Sequence, residues 1–538
     1  MNALPVEGGE PAGTDGAGTW APGRERQLVT VARNVSTRYL AIIAETVVGL
    51  VMLPFNLTHL GTAEYGLWVL LGSITVHFSV LDLGYGGALV KFMAQYRAHR
   101  NARALNEIAS TLFFVFAAVG VVAYLAAVVV AFNLDHVFKI TPEQAQTGKW
   151  ILLIIAVHVS LNFPFSVFGG VISGFQRYDA NNMVAIGSSL AVAVVNAVVL
   201  LAGYGIIALV AATTLVRIVV YFIYRRNAYR IFPELHIRLS LFRRERLREV
   251  TGFSIYSSII DWANKLNYQL DELVIGAMIG SSAVAVWAPA ERIITGTQRL
   301  TNQLNGVLFP VIVDSDASQQ KERLQQILLQ GTRLSLVMVV PIAATLILLG
   351  DPLIHAWLGP KKAPAMAGAV PVLQILAIAV AIRVGNATGN TVLKGAGEHR
   401  MLAFVNLGTG LANMVLSVLL ARRFGLVGVA VGTLIPIAFT AFFILYPASC
   451  RRVGLPLMQV VTHSILPAVW PAFVVGVVLA GTRLISSGTL LAVVLQAILG
   501  GILYLVLFYS VAIGRRDRAL YTAKVMELMG RPRLASAV

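Results

Sequence analysis

The 538-residue chain is 57% hydrophobic and 12% charged, with mean hydropathy +0.76 and 42 basic against 25 acidic residues, a formal net charge of +17. Soluble proteins are about 45–50% apolar and about 25% charged, so this composition belongs to an integral membrane protein. A single cysteine, Cys450, excludes disulfide frameworks, thiolate clusters and CxxC redox chemistry.

Residues 1–27 are rich in Gly, Pro, Ala and Thr, lack the apolar core of a signal peptide, and read as a disordered cytoplasmic tail. From there to about residue 512 the chain is a succession of apolar stretches, each near the roughly 20 residues that cross a bilayer as helix. They fall at about 30–55, 64–90, 110–132, 150–172, 183–203, 205–224, 251–278, 282–311, 334–357, 367–390, 401–420, 426–448, 461–482 and 488–512. The expected fold is therefore an all-α integral membrane protein of about fourteen transmembrane helices.

Loop charge orients the bundle. With the N-terminus inside, the tails and the loops after even-numbered spans hold 28 Lys and Arg, against seven on the opposite side (Lys139, Lys149, Lys361, Lys362, Arg422, Arg423 and Arg483). This positive-inside bias places both termini in the cytoplasm and accounts for the basic excess without a nucleic-acid partner.

An internal repeat organises the spans. Gly61-Thr62-Ala63-Glu64-Tyr65-Gly66-Leu67-Trp68 returns 219 residues later as Gly280-Ser281-Ser282-Ala283-Val284-Ala285-Val286-Trp287, and the Gly205–Thr213 stretch returns as Gly425–Thr433. Two six-helix parallel repeats follow: an N-terminal lobe at 28–226 and a C-terminal lobe at 251–450, joined by a basic cytoplasmic linker at 227–250. Two additional helices occupy 451–514 and a cytoplasmic tail 515–538. Parallel repeats with a site between them are a recurring plan of secondary transporters.

A charge at the bilayer centre costs about 2.5–3.5 kcal/mol, so intramembrane ionisable groups usually face a cavity or a partner. Here they concentrate on the same two helices of each repeat: Arg38, Glu45 and Asp82 in the first, and Asp261, Lys265, Asp271, Glu272, Glu291, Arg292 and Arg299 in the second, with Arg383 on the tenth span. At 3.6 residues per turn Arg292, Thr295, Arg299 and Gln303 form one stripe. With Asn302 beside them, Arg38, Arg292, Arg299, Arg383 and Gln303 are the candidate substrate contacts, because arginine grips phosphate and amides pair with sugar hydroxyls. Asp82, Glu45, Asp261, Lys265 and Asp271 are the candidate ion-coupling groups, the ion being a proton or sodium; no other cofactor is expected. Asp261 with Lys265 also suits a structural i,i+4 pair. Asp314-Ser315-Asp316 matches a metal–nucleotide tripeptide but reads as a helix-ending acidic loop. No Walker loop, H-E-x-x-H or Cys/His metal spacing occurs, which argues against ATP-driven transport and metal hydrolysis.

Leu60–Trp68, Leu81-Asp82-Leu83-Gly84-Tyr85-Gly86, Val90-Lys91-Phe92, Asp271-Glu272-Leu273-Val274-Ile275-Gly276 and Leu308-Phe309-Pro310 resemble the bacterial polysaccharide flippases, the O-antigen and exopolysaccharide exporters of the multidrug/oligosaccharidyl-lipid/polysaccharide superfamily. That resemblance implies a non-enzymatic flippase in the bacterial cytoplasmic membrane, moving an undecaprenyl-pyrophosphate-linked glycan to the outer leaflet by alternating access. It also implies a polysaccharide polymerase and other export machinery as partners. Fourteen spans is also like the lipid II flippases of that superfamily. A multidrug antiporter would call for an anionic or aromatic cavity, and a membrane-embedded polymerase or ligase for a sizeable outer loop.

Overall fold

A computed structural model describes residues 24–82, 84–251, 270–483, 488–514 and 518. Long helices dominate: α1 Arg24–His77, α2 Tyr85–Ala98, α3 Ala102–Ala131, α4 Pro142–Gly174, α5 Tyr178–Leu201 and α6 Ile206–Ile231 make the N-terminal half. The second half holds α7 Asp271–Met278, α8 Ser281–Ala317, α9 Lys321–Leu358, α10 Ala369–Gly385, α11 Ala387–Gly395, α12 His399–Phe439 and α13 Tyr446–Val453, followed by α14 Leu466–Arg483 and α15 Leu490–Leu507. Among the described residues ten helical stretches are long and apolar enough to cross a membrane. The chain is thus an all-α, multi-pass membrane protein.

Two of those ten stretches each merge two of the spans expected from hydropathy. Gly61 (φ 76°, ψ 172°) folds α1 into two segments, and Gly425 (φ 56°, ψ −133°) does the same in α12. Only glycine tolerates these angles without a Cβ penalty. Conversely, the second predicted span is interrupted: a 3-10 turn at Phe78–Asp82 separates the end of α1 from α2.

The repeat seen in sequence recurs in the backbone. Gly280, the partner of Gly61, also has positive φ (135°) and ψ 171°. Arg100 and Gln319 both adopt the left-handed conformation, at φ 52° and 53°, immediately before α3 and α9. Close helix packing matches too. A Cβ on Gly174 would strike Met93 Cβ, and one on Gly395 would lie 2.7 Å from Ile312 Cγ2. In each half one helix therefore presses a glycine onto a side chain of the second helix of its own repeat. Gly174→Val should overpack this contact and lower stability by about 1–3 kcal/mol, seen as a reduced melting temperature in detergent, whereas the same change at the open Gly169 should not.

Helix ends depart from the hydropathy estimate on the basic side. α3 begins at Ala102 rather than near 110, because Asn101 caps it by accepting from the Ala104 amide (2.9 Å) and its early polar residues are buried against protein. Asn106, Glu107, Ser110 and Thr111 are each at most 9% exposed. α9 likewise starts at Lys321, so Arg333, counted above with a cytoplasmic loop, lies inside the helix and is 5% exposed. The Asp314-Ser315-Asp316 tripeptide is the last turn of α8, where Asp316 pairs with Arg452 (2.7 Å) and Asp314 with Arg323 (3.8 Å). The acidic-loop reading is replaced by a helix end held by arginines.

Within the linker, Phe232–Leu241 forms a largely non-helical strap zipped onto α3, and the chain is helical again from residue 244. Asn106 donates to the Glu234 carbonyl (2.8 Å) and accepts from the His236 amide (2.7 Å). Ser110 donates to the His236 carbonyl (3.1 Å) and accepts from the Arg238 amide (3.2 Å), and Thr111 accepts from Arg243 (3.0 Å). Side chains of α3 thus satisfy an irregular backbone that would otherwise lack partners. Arg246 seals the strap by pairing with Glu107 (3.2 Å) and Glu249 (3.3 Å) and donating to Tyr96 (2.8 Å). Burial, and then the Glu249 carboxylate, push the Tyr96 phenol up to about 12, so it remains a donor at physiological pH.

Candidate functional site

The two halves meet chiefly along α1 and α8. From the middle of α1 outward the contacts run in order: Glu45 with Arg299, Thr46 with Gly296, Gly49 with Arg292, and the Leu50 carbonyl with Trp357 Nε1 (3.0 Å). Past the Gly61 kink, Gly66 seats against the Ser281 carbonyl, and a Cβ on Gly276 would lie 2.5 Å from Leu70 Cδ1. The α3–α4 connection completes this face: the Lys139 amide donates to the Gly276 carbonyl (3.0 Å) and Lys139 Nζ to the Met278 carbonyl (2.6 Å). Small residues allow this approach of backbones, since glycine removes the atoms that would collide.

Within this interface stands the predicted arginine stripe. Arg299 Nη1 lies 3.6 Å from Glu45 Oε2, with the two side chains 51% and 36% exposed. The geometry joins a predicted substrate contact to a predicted coupling group across the halves. Two turns along, Arg292 passes over Gly49, where a Cβ would lie 3.1 Å from its Nε. Its charge also acts on Tyr65 and Glu272. Thr295, between the arginines, donates to Glu291 (3.2 Å). Among the described residues Arg292 and Arg38 make no ion pair, and both are exposed in the protein alone.

Other predicted residues fall elsewhere. Asp82 occupies the 3-10 turn, its carboxylate against Gly86 at the first turn of α2, where the helix end favours negative charge. Arg383 lies in the last turn of α10, close enough for its charge to act on Asp271. Asn302 and Gln303 lie on α8, with side chains outside the described residues, and Asp261 and Lys265 lie outside them altogether. Asn305 and Asn386 sit in packed surroundings: Asn305 accepts from Thr388 (3.2 Å), and Asn386 is 2% exposed.

Asp271 gathers partners that the sequence did not announce. Thr433 Oγ1 lies within 3.1–3.2 Å of both Asp271 oxygens, of Asn413 Oδ1 and of the Val429 carbonyl. Ser417 Oγ lies 2.9 Å from Asn413 Oδ1 and 3.3 Å from the same carbonyl. The hydroxyl proton of Thr433 can satisfy one acceptor at a time, so four oxygens compete for it and Ser417 relieves two of them only in part. Asn413 Nδ2 adds one long donor to Asp271 Oδ1 (3.5 Å), and this cradle of converging oxygens could hold a hard cation or an added proton. Close packing builds it: a Cβ on Gly432 would lie 2.6 Å from the Ser417 amide. Among the described residues no cluster of three His, Cys, Asp or Glu could hold a metal; this cradle uses hydroxyl, amide and carbonyl oxygens instead. A sequence signal existed in Asn413 and Ser417 four apart and Val429 and Thr433 four apart, but each pair looks like ordinary polar packing until the helices meet.

The first repeat lacks this chemistry. At the repeat spacing of 219–220 residues, Asp271, Asn413 and Ser417 correspond to Met52, Ala193 and Ala197, and only Thr433 meets a like residue, Thr213. The ionisable part of the cradle is confined to one half.

Residues 60–367 match the family described as "Polysaccharide biosynthesis protein". An uncharacterized membrane protein of Methanocaldococcus jannaschii is 22% identical over 373 residues, 65% of this chain and 70% of that one. A probable flippase of Haloferax volcanii, AglR, is 21% identical over 413 residues, 76% of this chain and 81% of that one. The lipid II flippase MurJ, in an inward closed conformation, superposes with a TM-score of 0.67 at 13% identity, covering 89% of this chain and 98% of its own. An inward-facing multidrug transporter of the MATE family and MOP superfamily gives 0.62 at 16%, covering 77% and 94%. The similar proteins with an assigned activity are transporters or flippases rather than enzymes, and with the family match covering more than half of its length the chain belongs to the polysaccharide biosynthesis protein family, on the fold of the MOP-superfamily transporters.

Proposed function

We propose that this chain is a flippase carrying a lipid-linked oligosaccharide, of the undecaprenyl-pyrophosphate type, from the cytoplasmic to the outer leaflet of a bacterial cytoplasmic membrane. The observation that carries this reading is the pair of arginines on one face of α8, set where α8 meets α1. A pyrophosphate needs such donors in a medium of low dielectric, and a cationic drug would be repelled by them. The name of the archaeal relative supports the same transport class.

The contacts from Glu45–Arg299 to Lys139–Gly276 lie toward the side with few basic loops. They read as an outer gate that is shut, so substrate would enter from the cytoplasm. Reopening would break the Lys139 bonds and the Trp357–Leu50 bond, while the glycine contacts within each half persist. Outward movement of each negative charge gains roughly 2.3 kcal/mol per 100 mV of a membrane potential negative inside. The return step then falls to the Asp271 cradle, loading a sodium ion or a proton.

The test is the leaflet on which lipid-linked glycan accumulates in cells lacking this chain. Cytoplasmic-leaflet accumulation with glycan assembly intact, reversed by restoring the gene, is expected. Accumulation of unpolymerised glycan on the outer leaflet would assign the chain to a later step and overturn the reading.

A further inference from the structure

The strap on α3 leaves a second basic feature that the transport path does not use. Beside it lies a cavity of about 330 Å³ lined by Arg103, Asn106, His236, Arg238, Ser240 and Leu241. Asn106 is consumed by holding the strap, so the available polar chemistry is that of Arg103, His236 and Arg238. Arg103 is 80% exposed beyond its bond to Glu107, and Arg238, anchored through its backbone amide to Ser110, makes no ion pair among the described residues.

Two arginines around a cavity call for an anion, and location selects which one. Arg103 and Asn106 stand in the first two turns of a membrane-crossing helix, which sets the cavity at the water–membrane boundary. Next to Arg238, Leu239 projects with 69% exposure, and Leu241 joins the lining. A leucine so placed is ill suited to a soluble anion site but suits the acyl edge of a bilayer, with arginine at headgroup level. Basic pockets at that depth recognise anionic lipid headgroups.

We infer that this cavity binds the phosphate headgroup of an anionic glycerophospholipid, gripped by Arg103 and Arg238 while Leu239 meets its acyl chains. The cavity is large enough for a phosphate and glycerol but not for the chains, which would lie outside along the strap. Because the strap is zipped to α3, the lipid would brace the N-terminal half at the point where the chain leaves for the second half.

Native mass spectrometry of the full-length protein with phosphatidylglycerol and phosphatidylcholine tests this. Wild type should bind phosphatidylglycerol in preference, and Arg238→Gln should weaken that binding roughly fivefold, the value of one basic residue at an anionic surface. Leu239→Asn should weaken phosphatidylglycerol binding too while leaving the arginines in place, which keeps the test open should either variant fold poorly. Equal binding of phosphatidylglycerol by wild type and both variants would overturn the site. Displacement of the lipid by millimolar inorganic phosphate would overturn the lipid as occupant in favour of a free anion.

Discussion

Replacing Asp271 by Asn should abolish ion-dependent stabilisation and reduce turnover by at least tenfold, without unfolding the protein. The substitution keeps shape and one oxygen, so the α7–α12 packing persists, but it removes the only ionisable group among the four oxygens that crowd Thr433. A ligand that binds only the folded state at about 100 times its Kd contributes about 2.7 kcal/mol of stability. Wild-type protein should therefore melt higher in sodium than in choline, and the Asn variant should melt identically in both. Thr433→Val should lose the sodium response as well, and Thr433→Ser should keep it, because the hydroxyl oxygen rather than its methyl is the ligand. If wild type shows no difference between sodium and choline but transport in proteoliposomes still collapses in the Asn variant when a proton gradient is imposed, the proton takes the sodium ion's place. Indifference of both stability and transport to Asp271→Asn would sink the cradle's coupling role.

The parts of this protein that were legible in its sequence are those governed by a local rule. Apolar runs marked the spans, and the Gly61 and Gly280 motifs marked the repeat because positive φ at a tight bend demands glycine wherever the bend recurs. The arginine stripe on α8 followed from helical phase alone. What stayed hidden depends on which helices meet. Asn413, Ser417 and Thr433 are unremarkable polar residues until α12 folds back at Gly425 and delivers them to Asp271. Equally hidden was the strap: nothing in the basic linker sequence announces that Asn106, Ser110 and Thr111 of α3 take up its backbone. Those same polar residues depress hydropathy at the start of α3, which is why its first two turns were missed.

Charge removal on α8 is the sharpest test of the path itself. The double variant Arg292→Gln, Arg299→Gln should export less than a tenth of the wild-type glycan at normal membrane abundance. Stability should change little, for a physical reason visible at each site. The Arg299–Glu45 pair is long at 3.6 Å and half exposed, a class of ion pair worth about 0–1 kcal/mol. Arg292 packs over Gly49 and glutamine retains the first part of that side chain, so no cavity opens. Function is different: the arginines stand two helical turns apart, about 10 Å along the axis, and as like charges on one face they together favour an anion between the halves. Lysine at both positions should restore part of the export, since charge returns while the bidentate fork does not. Glu45→Gln, by contrast, frees Arg299 from its partner and should tighten binding of pyrophosphate-bearing lipid while slowing its release. A structural role for α8 predicts that all three variants lose abundance together; a path predicts that abundance holds, the Gln pair loses binding, and the Glu45 variant gains it.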